Sequence, residues 1–297
     1  KKIWVYFKEY MMLKERIISA VILFLIFFVS YLSKNPTYFL SLVFVVSTTL
    51  LHELAKLLKL KSLALYVYWV LSLTPIIFFY FLIGLDIFFL DEKISNLQSF
   101  LINFSIFISL ISLVFWFSLA PLDIMYKTIS SNVKFQIFYG YFLICPMVIV
   151  TTIVFTQDKT LLLVPFIMIW VSDMGAYFIG KKFGRRKLAR NISPGKTIEG
   201  ALGGFVCNII CALMLVYFFT ESFYKMLFFA TIITGLSIFG DIYQSFLKRQ
   251  ANLKDSGSII PGHGGLFDRL DSFCPTLPII FLVCNCLYID ISSKLTL

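Results

Sequence analysis

From Phe100 to Ala120 the chain reads FLINFSIFISLISLVFWFSLA, 21 residues without an Asp, Glu, Lys or Arg. At 1.5 Å per residue a helix of that length covers about 30 Å, the thickness of a bilayer's hydrocarbon core. Lipid offers backbone groups no partners, so only helices or closed barrels can cross it, and barrel strands would alternate where this run does not. The stretch therefore predicts a membrane-spanning helix. Similar runs recur on either side, at Ile17–Leu32, Thr37–Leu54, Leu63–Gly84, Phe135–Phe155, Leu161–Gly180, Ile198–Thr220, Met226–Leu247 and Phe273–Ile291. The expectation is an all-α polytopic membrane protein with about nine transmembrane helices. Composition agrees: 14% of the 297 residues are charged, against roughly 25% in soluble domains, too few to cover a water-facing surface. The six cysteines form no C-x-x-C pair and lie, apart from Cys274 at a boundary, inside apolar runs. They read as small hydrophobes and argue against a disulfide scaffold or a zinc site.

The net charge of +10 takes its meaning from where the 26 Lys and Arg residues fall. With nine spans, the segments on one side of the membrane hold 21 of them and those on the other hold 5. The positive-inside rule then places the N-terminus in the cytoplasm and the C-terminus outside. Topology and anionic headgroups account for the charge, and no nucleic-acid partner is expected. Trp4, Tyr6 and Tyr10 suit the membrane interface, and no small-residue cleavage site marks a signal peptide. The chain divides into a cytoplasmic segment (1–16), five spans (17–160) and a four-span catalytic region (161–297) with polar cytoplasmic loops at 181–197 and 248–272. Without a large soluble domain or a transit-peptide composition, the expected location is a bacterial cytoplasmic membrane, with membrane lipids as neighbours.

Ionisable residues within spans are costly, about 2.5–3.5 kcal/mol each on insertion scales, and ask for a reason. Asp173 and Asp241 each lie about 10 Å before the cytoplasmic end of their helices, and so at one depth. Glu199 and the pair His52 and Glu53 belong to the same half; for Glu53 the expected partner is a snorkelling Lys or Arg. The longer loop combines Lys248, Arg249, Lys254 and Arg269, which supply charge for phosphates, with Gly262, Gly264 and Gly265, whose backbone can approach an anion. Asp268 and Asp271, three apart, would share a helix face, and Asp241 could reach the same ion. Carboxylates beside phosphate ligands suit Mg²⁺. His263 either contacts a phosphate or caps the turn. In the shorter loop, Gly195-Lys196-Thr197 lacks the first glycine and the preceding strand of a P-loop. Ser193, Lys196 and Thr197 instead stand at a helix N-terminus, which favours anions. Gly200 and Gly204 form a G-x-x-x-G suited to close helix packing.

These residues resemble the signature of the phosphatidate cytidylyltransferases, or CDP-diacylglycerol synthases. The elements are Ser245, Lys248-Arg249, Lys254-Asp255, Pro261-Gly-His263-Gly264-Gly265 and Asp268-Arg269-Leu-Asp271, preceded by Asp173-Met-Gly-Ala-Tyr-Phe-Ile-Gly180 and Ser193-Pro-Gly-Lys-Thr-Ile-Glu-Gly200. The likeness is strong over about 173–272 and general before it. Residues 1–11 look like an extension, and Ile198 stands where an aromatic is expected. The resemblance implies transfer of a cytidylyl group from CTP to phosphatidate. It also implies metal ligation by Asp241 and Asp268, with Asp271 and Asp173 as further candidates, leaving room for a second, monovalent ion beside Mg²⁺. Lys248, Arg249, Lys254 and Arg269 would hold phosphates, helped by Ser193, Lys196 and Thr197. With the small-residue faces, it is also compatible with a homodimer. Rival readings are an enzyme using CTP on another lipid, such as a polyprenol kinase or an archaeal-type lipid cytidylyltransferase, and an ion-coupled transporter. Against the transporter, the chain shows no inverted repeat and its acids gather in one half.

Overall fold

In the computed structural model, which describes residues 18–88, 95–127, 130–219, 223–262 and 264–286, the apolar runs are helices. They are α1 (Ile18–Leu32), α2 (Pro36–Leu57), α3 (Ser62–Phe88), α4 (Ser95–Val114), α5 (Ala120–Tyr126), α6 (Val133–Gln136), α7 (Tyr139–Gln157), α8 (Lys159–Phe183), α9 (Ile198–Phe219), α10 (Phe223–Gln250), α11 (Phe267–Leu270) and α12 (Phe273–Cys286). Local chemistry sets their ends. Asn35 caps α2 by accepting from the Thr37 amide (3.0 Å), with Pro36 at the first helical position. Asp158 alone separates α7 from α8; its amide closes α7 and its carboxylate accepts from the Thr160 amide (2.8 Å).

Among the described residues, seven helices are long and apolar enough to span a bilayer. The first and ninth expected spans correspond to α1 and the 14-residue α12; residue 17 and residues 287–291, which would complete them, lie outside the described residues. The fourth span is longer than expected, running Leu97–Tyr126 through a π-helical turn at Phe115–Leu119. That extra residue per turn precedes Pro121, which has no N–H to give. It turns Phe115 and Trp116 onto the ring of Tyr243 in α10, at centroid distances of 5.7 and 5.5 Å.

The all-α expectation takes one correction. Residues 187–197 form an antiparallel hairpin, β1 (Lys187–Ala189) and β2 (Ser193–Thr197), pairing Lys187 with Thr197 and Ala189 with Ser193. A segment this polar satisfies its backbone by pairing with itself, and the Ile198 amide continues the ladder to the Arg186 carbonyl (2.9 Å).

The core is built around α7, whose Leu143, Ile144, Val148 and Ile149 are buried against α2, α3, α4 and α12. The tightest helix pair is α8 with α9. A Cβ on Gly204 would lie 2.6 Å from the Ser172 carbonyl, and one on Gly200 2.8 Å from that of Ala176. The G-x-x-x-G thus brings the backbone of α9 against the turns flanking Asp173.

Candidate active site

Two polar groups meet where α8, α10, the hairpin and the loop after α10 converge. Ser237, Asp241, Ser245 and Lys248 recur at helical spacing along one face of α10. Asp241 pairs with Lys196 of β2 (2.5 Å), whose ammonium also donates to the Ile238 carbonyl (3.3 Å). The Ser245 hydroxyl bonds Asp241 from one turn further along (3.3 Å). Across the gap, Asp173 of α8 accepts from Ser237 (2.5 Å) and from the Ser272 hydroxyl. Asp271, in the turn between α11 and α12, accepts from the Ser272 amide (2.8 Å). Burial, then the neighbouring charge of Asp241, pushes the Asp271 carboxyl well above the usual carboxylate range, with Lys196 opposing. Three carboxyl groups therefore gather around one ammonium, which pairs directly with Asp241.

The second group shapes the loop. Lys248 and Asp268 form a nearly enclosed ion pair (2.7 Å), their side chains 11% and 9% exposed. The other oxygen of Asp268 accepts from the amides of Ser256 (2.8 Å) and Gly265 (3.1 Å). Glu53, at the end of α2 and 1% exposed, accepts from the Ser256 hydroxyl (2.8 Å) and from the amides of Leu266 (3.0 Å) and Phe267 (2.8 Å). Two carboxylates thus knot the loop, and the glycines let them in. A Cβ on Gly265 would collide with the Ser256 hydroxyl and the Glu53 carboxylate, and Gly264 adopts φ +83°.

Paired lysines and carboxylates thus meet at one end of a bundle of long apolar helices. The chain matches the cytidylyltransferase family over residues 14–287. It belongs to that family. A protein of Haemophilus influenzae named phosphatidate cytidylyltransferase is 31% identical over 292 residues, 90% of this chain and 96% of the relative. Proteins of the same name from Staphylococcus aureus and Staphylococcus haemolyticus are 43% and 40% identical over 121 residues, 40% of this chain and 46% of theirs.

In this cytidylyltransferase the other residues singled out by sequence take varied places. Arg249 donates to the carbonyls of Ile192 (3.3 Å) and Leu253 (3.0 Å), tying the two polar loops together. Thr197 is buried and its hydroxyl accepts from the Gly200 amide (3.1 Å), capping α9. Ser193 opens β2, while Lys254 and Arg269 stand exposed around the site. Glu199 fastens the hairpin by accepting from the amides of Arg185 (2.9 Å) and Arg186 (3.0 Å). His263 lies outside the described residues. Glu53 departs from expectation: no Lys or Arg among the described residues pairs with it, and Lys56, three residues on, points to the exterior. Sequence reasoning passed over Ser237 and Ser272, which hold Asp173, and Asp123. Fully buried, Asp123 accepts from Ser130 (amide 2.8 Å, hydroxyl 2.9 Å), Tyr139 (2.9 Å) and Tyr243 (3.1 Å). Its insertion cost within a span was the available signal.

Proposed function

We propose that the protein is a phosphatidate cytidylyltransferase, transferring the cytidylyl group of CTP to phosphatidate and releasing pyrophosphate and CDP-diacylglycerol. The observation that carries this is the pairing of the Asp173, Asp241 and Asp271 group with a glycine loop fixed by Glu53 and Asp268, in a chain that aligns almost end to end with a protein of that name. A phosphatidate phosphate oxygen attacks the α-phosphorus of CTP in line, an O–P bond forms, and the bond to the β-phosphate oxygen breaks. The attacking monoester is already an anion near neutral pH, so no general base is required. Catalysis then rests on positioning and charge neutralisation. Lys254 and Arg269, exposed around the site, and Lys196 beside Asp241 would supply that charge, while Lys248 and Arg249 hold the loop through Asp268 and the Ile192 and Leu253 carbonyls.

The donor set fits Mg²⁺. No group of three or more His, Cys, Asp or Glu side chains among the described residues forms a metal cage, but Mg²⁺ is typically held by one or two carboxylates together with substrate phosphates and water. Asp241 and Asp271 would hold it, flanked by Asp173. Asp268, with three of about four acceptor positions occupied, has one left for the same ion. When bound, Mg²⁺ would neutralise phosphate oxygens and stabilise the leaving pyrophosphate. The 21-to-5 division of Lys and Arg supports an active site facing the cytoplasm of a bacterial inner membrane.

The test is pyrophosphate release by detergent-purified protein given phosphatidate and Mg²⁺, with CTP or ATP, and with EDTA added. Release that needs CTP, phosphatidate and metal together is expected. CDP with a phosphorylated lipid alcohol would indicate a kinase instead, and a folded protein that turns nothing over would reopen the transporter reading.

A further inference from the structure

An apolar groove of about 260 Å³ begins at Arg269 and runs into the bundle between α1, α2, α7, α8 and α12. Phe27, Val43, Val46, Val148 and Trp170 line it, and Leu266, Arg269 and Leu270 form its upper end. Asp268 and Asp271 stand on that same turn without lining the groove, so the groove ends beside the polar site with the turn between them. Its depth follows from α2. Glu53 holds the amides of Leu266 and Phe267; at 1.5 Å per residue Val46 lies about 10 Å deeper and Val43 about 15 Å deeper, the thickness of one leaflet's hydrocarbon. The outer wall is α1, where Phe24 and Ile26 line the groove while remaining 53% and 47% exposed, on a side that lipid would contact. A cation on the rim, an apolar wall one leaflet deep and a lipid-facing side together match an anionic headgroup with a long hydrocarbon tail.

We propose that this groove seats an acyl chain of phosphatidate, with the lipid phosphate held at the Arg269 turn beside Asp268 and Asp271. The inference rests on the proposed function and adds where the lipid lies: chain length is read along α2, and a phosphate at the rim lies on the turn that carries Asp268 and Asp271.

The experiment compares wild type with Val46→Phe and Leu42→Phe, which fill the groove without touching the polar site, using dioleoyl and dihexanoyl phosphatidate. KM for the dioleoyl lipid should rise about tenfold, the equivalent of about two methylenes left unburied. KM for CTP, and for the dihexanoyl lipid whose short chains stop above Val46, should stay within about twofold. A second readout needs no turnover: phosphatidate brominated along its chains should quench Trp170 fluorescence, with Trp170→Phe as the control, and Val46→Phe should weaken that quenching. Unchanged dioleoyl KM in a folded variant, or equal quenching by brominated phosphatidylcholine, would overturn the proposal. If wild type makes no CDP-diacylglycerol yet the quenching saturates and Val46→Phe weakens it, the catalytic reading falls and the groove stands.

Discussion

At the level of single residues, Glu53 and Asp241 separate architecture from chemistry. Glu53 is the acceptor for three otherwise enclosed donors, and each buried donor left unpaired costs about 1–3 kcal/mol. Glu53→Ala is expected to lower the melting temperature in detergent, expose residues 251–266 to protease and reduce kcat by about a hundredfold or more. Asp241 lies in a more open pair, 36% exposed against 20% for Lys196, where ion pairs are worth about 0–1 kcal/mol. Asp241→Asn should therefore leave the melting temperature nearly unchanged while abolishing pyrophosphate release. Asp268→Asn should also abolish turnover with the protein still in the membrane. It will carry a folding penalty of up to about 3–5 kcal/mol, because it strands the enclosed Lys248 ammonium. Local spacing brought Lys248, Gly264 and Gly265 to notice as phosphate and anion binders, whereas in the structure Lys248 pairs with Asp268 and the glycines make room for the Asp268 and Glu53 carboxylates. The role of Glu53 was not legible, because a snorkelling Lys or Arg was the expected partner and the actual partners lie more than 200 residues away.

Among elements, the α8–α9 contact and the α5–α10 contact hold the acidic helices in place. Gly204→Val puts a side chain into the Ser172 carbonyl beside Asp173. Overpacking of this kind typically costs about 1–3 kcal/mol, to be read as a lowered melting temperature and a fallen kcat. Tyr243→Phe removes one donor to the buried Asp123, two residues along α10 from Asp241. The expected loss is about 1–3 kcal/mol in chemical or thermal denaturation. Helical character and the small-residue seam were legible because both follow from residue type and period. The π-turn and the hairpin were not. The first answers to a ring on a distant helix, and the second to backbone pairing that a run such as Lys187–Thr197 does not signal by alternation.

For the molecule as a whole, orientation can be checked with single cysteines in a cysteine-free background. Gln157→Cys should react with an impermeant maleimide in intact spheroplasts, and Lys187→Cys only after permeabilisation; the reverse pattern would invert the topology. The apolar runs made most of the architecture readable, since lipid narrows the choices so severely. What escaped was the crossing of halves. A carboxylate from the second helix organises the loop before the last, so the region from 161 onward, expressed by itself, should insert and yet fail to turn over. The separation of Glu53 from Phe267 also sets a clock on biosynthesis. At about 5–20 residues per second, the ribosome takes roughly 10–40 s to deliver the amides that this carboxylate accepts from. Through that interval the nascent chain carries an acid without its final partners at the edge of the membrane, a period in which insertion factors and quality-control proteases would find it most open to them.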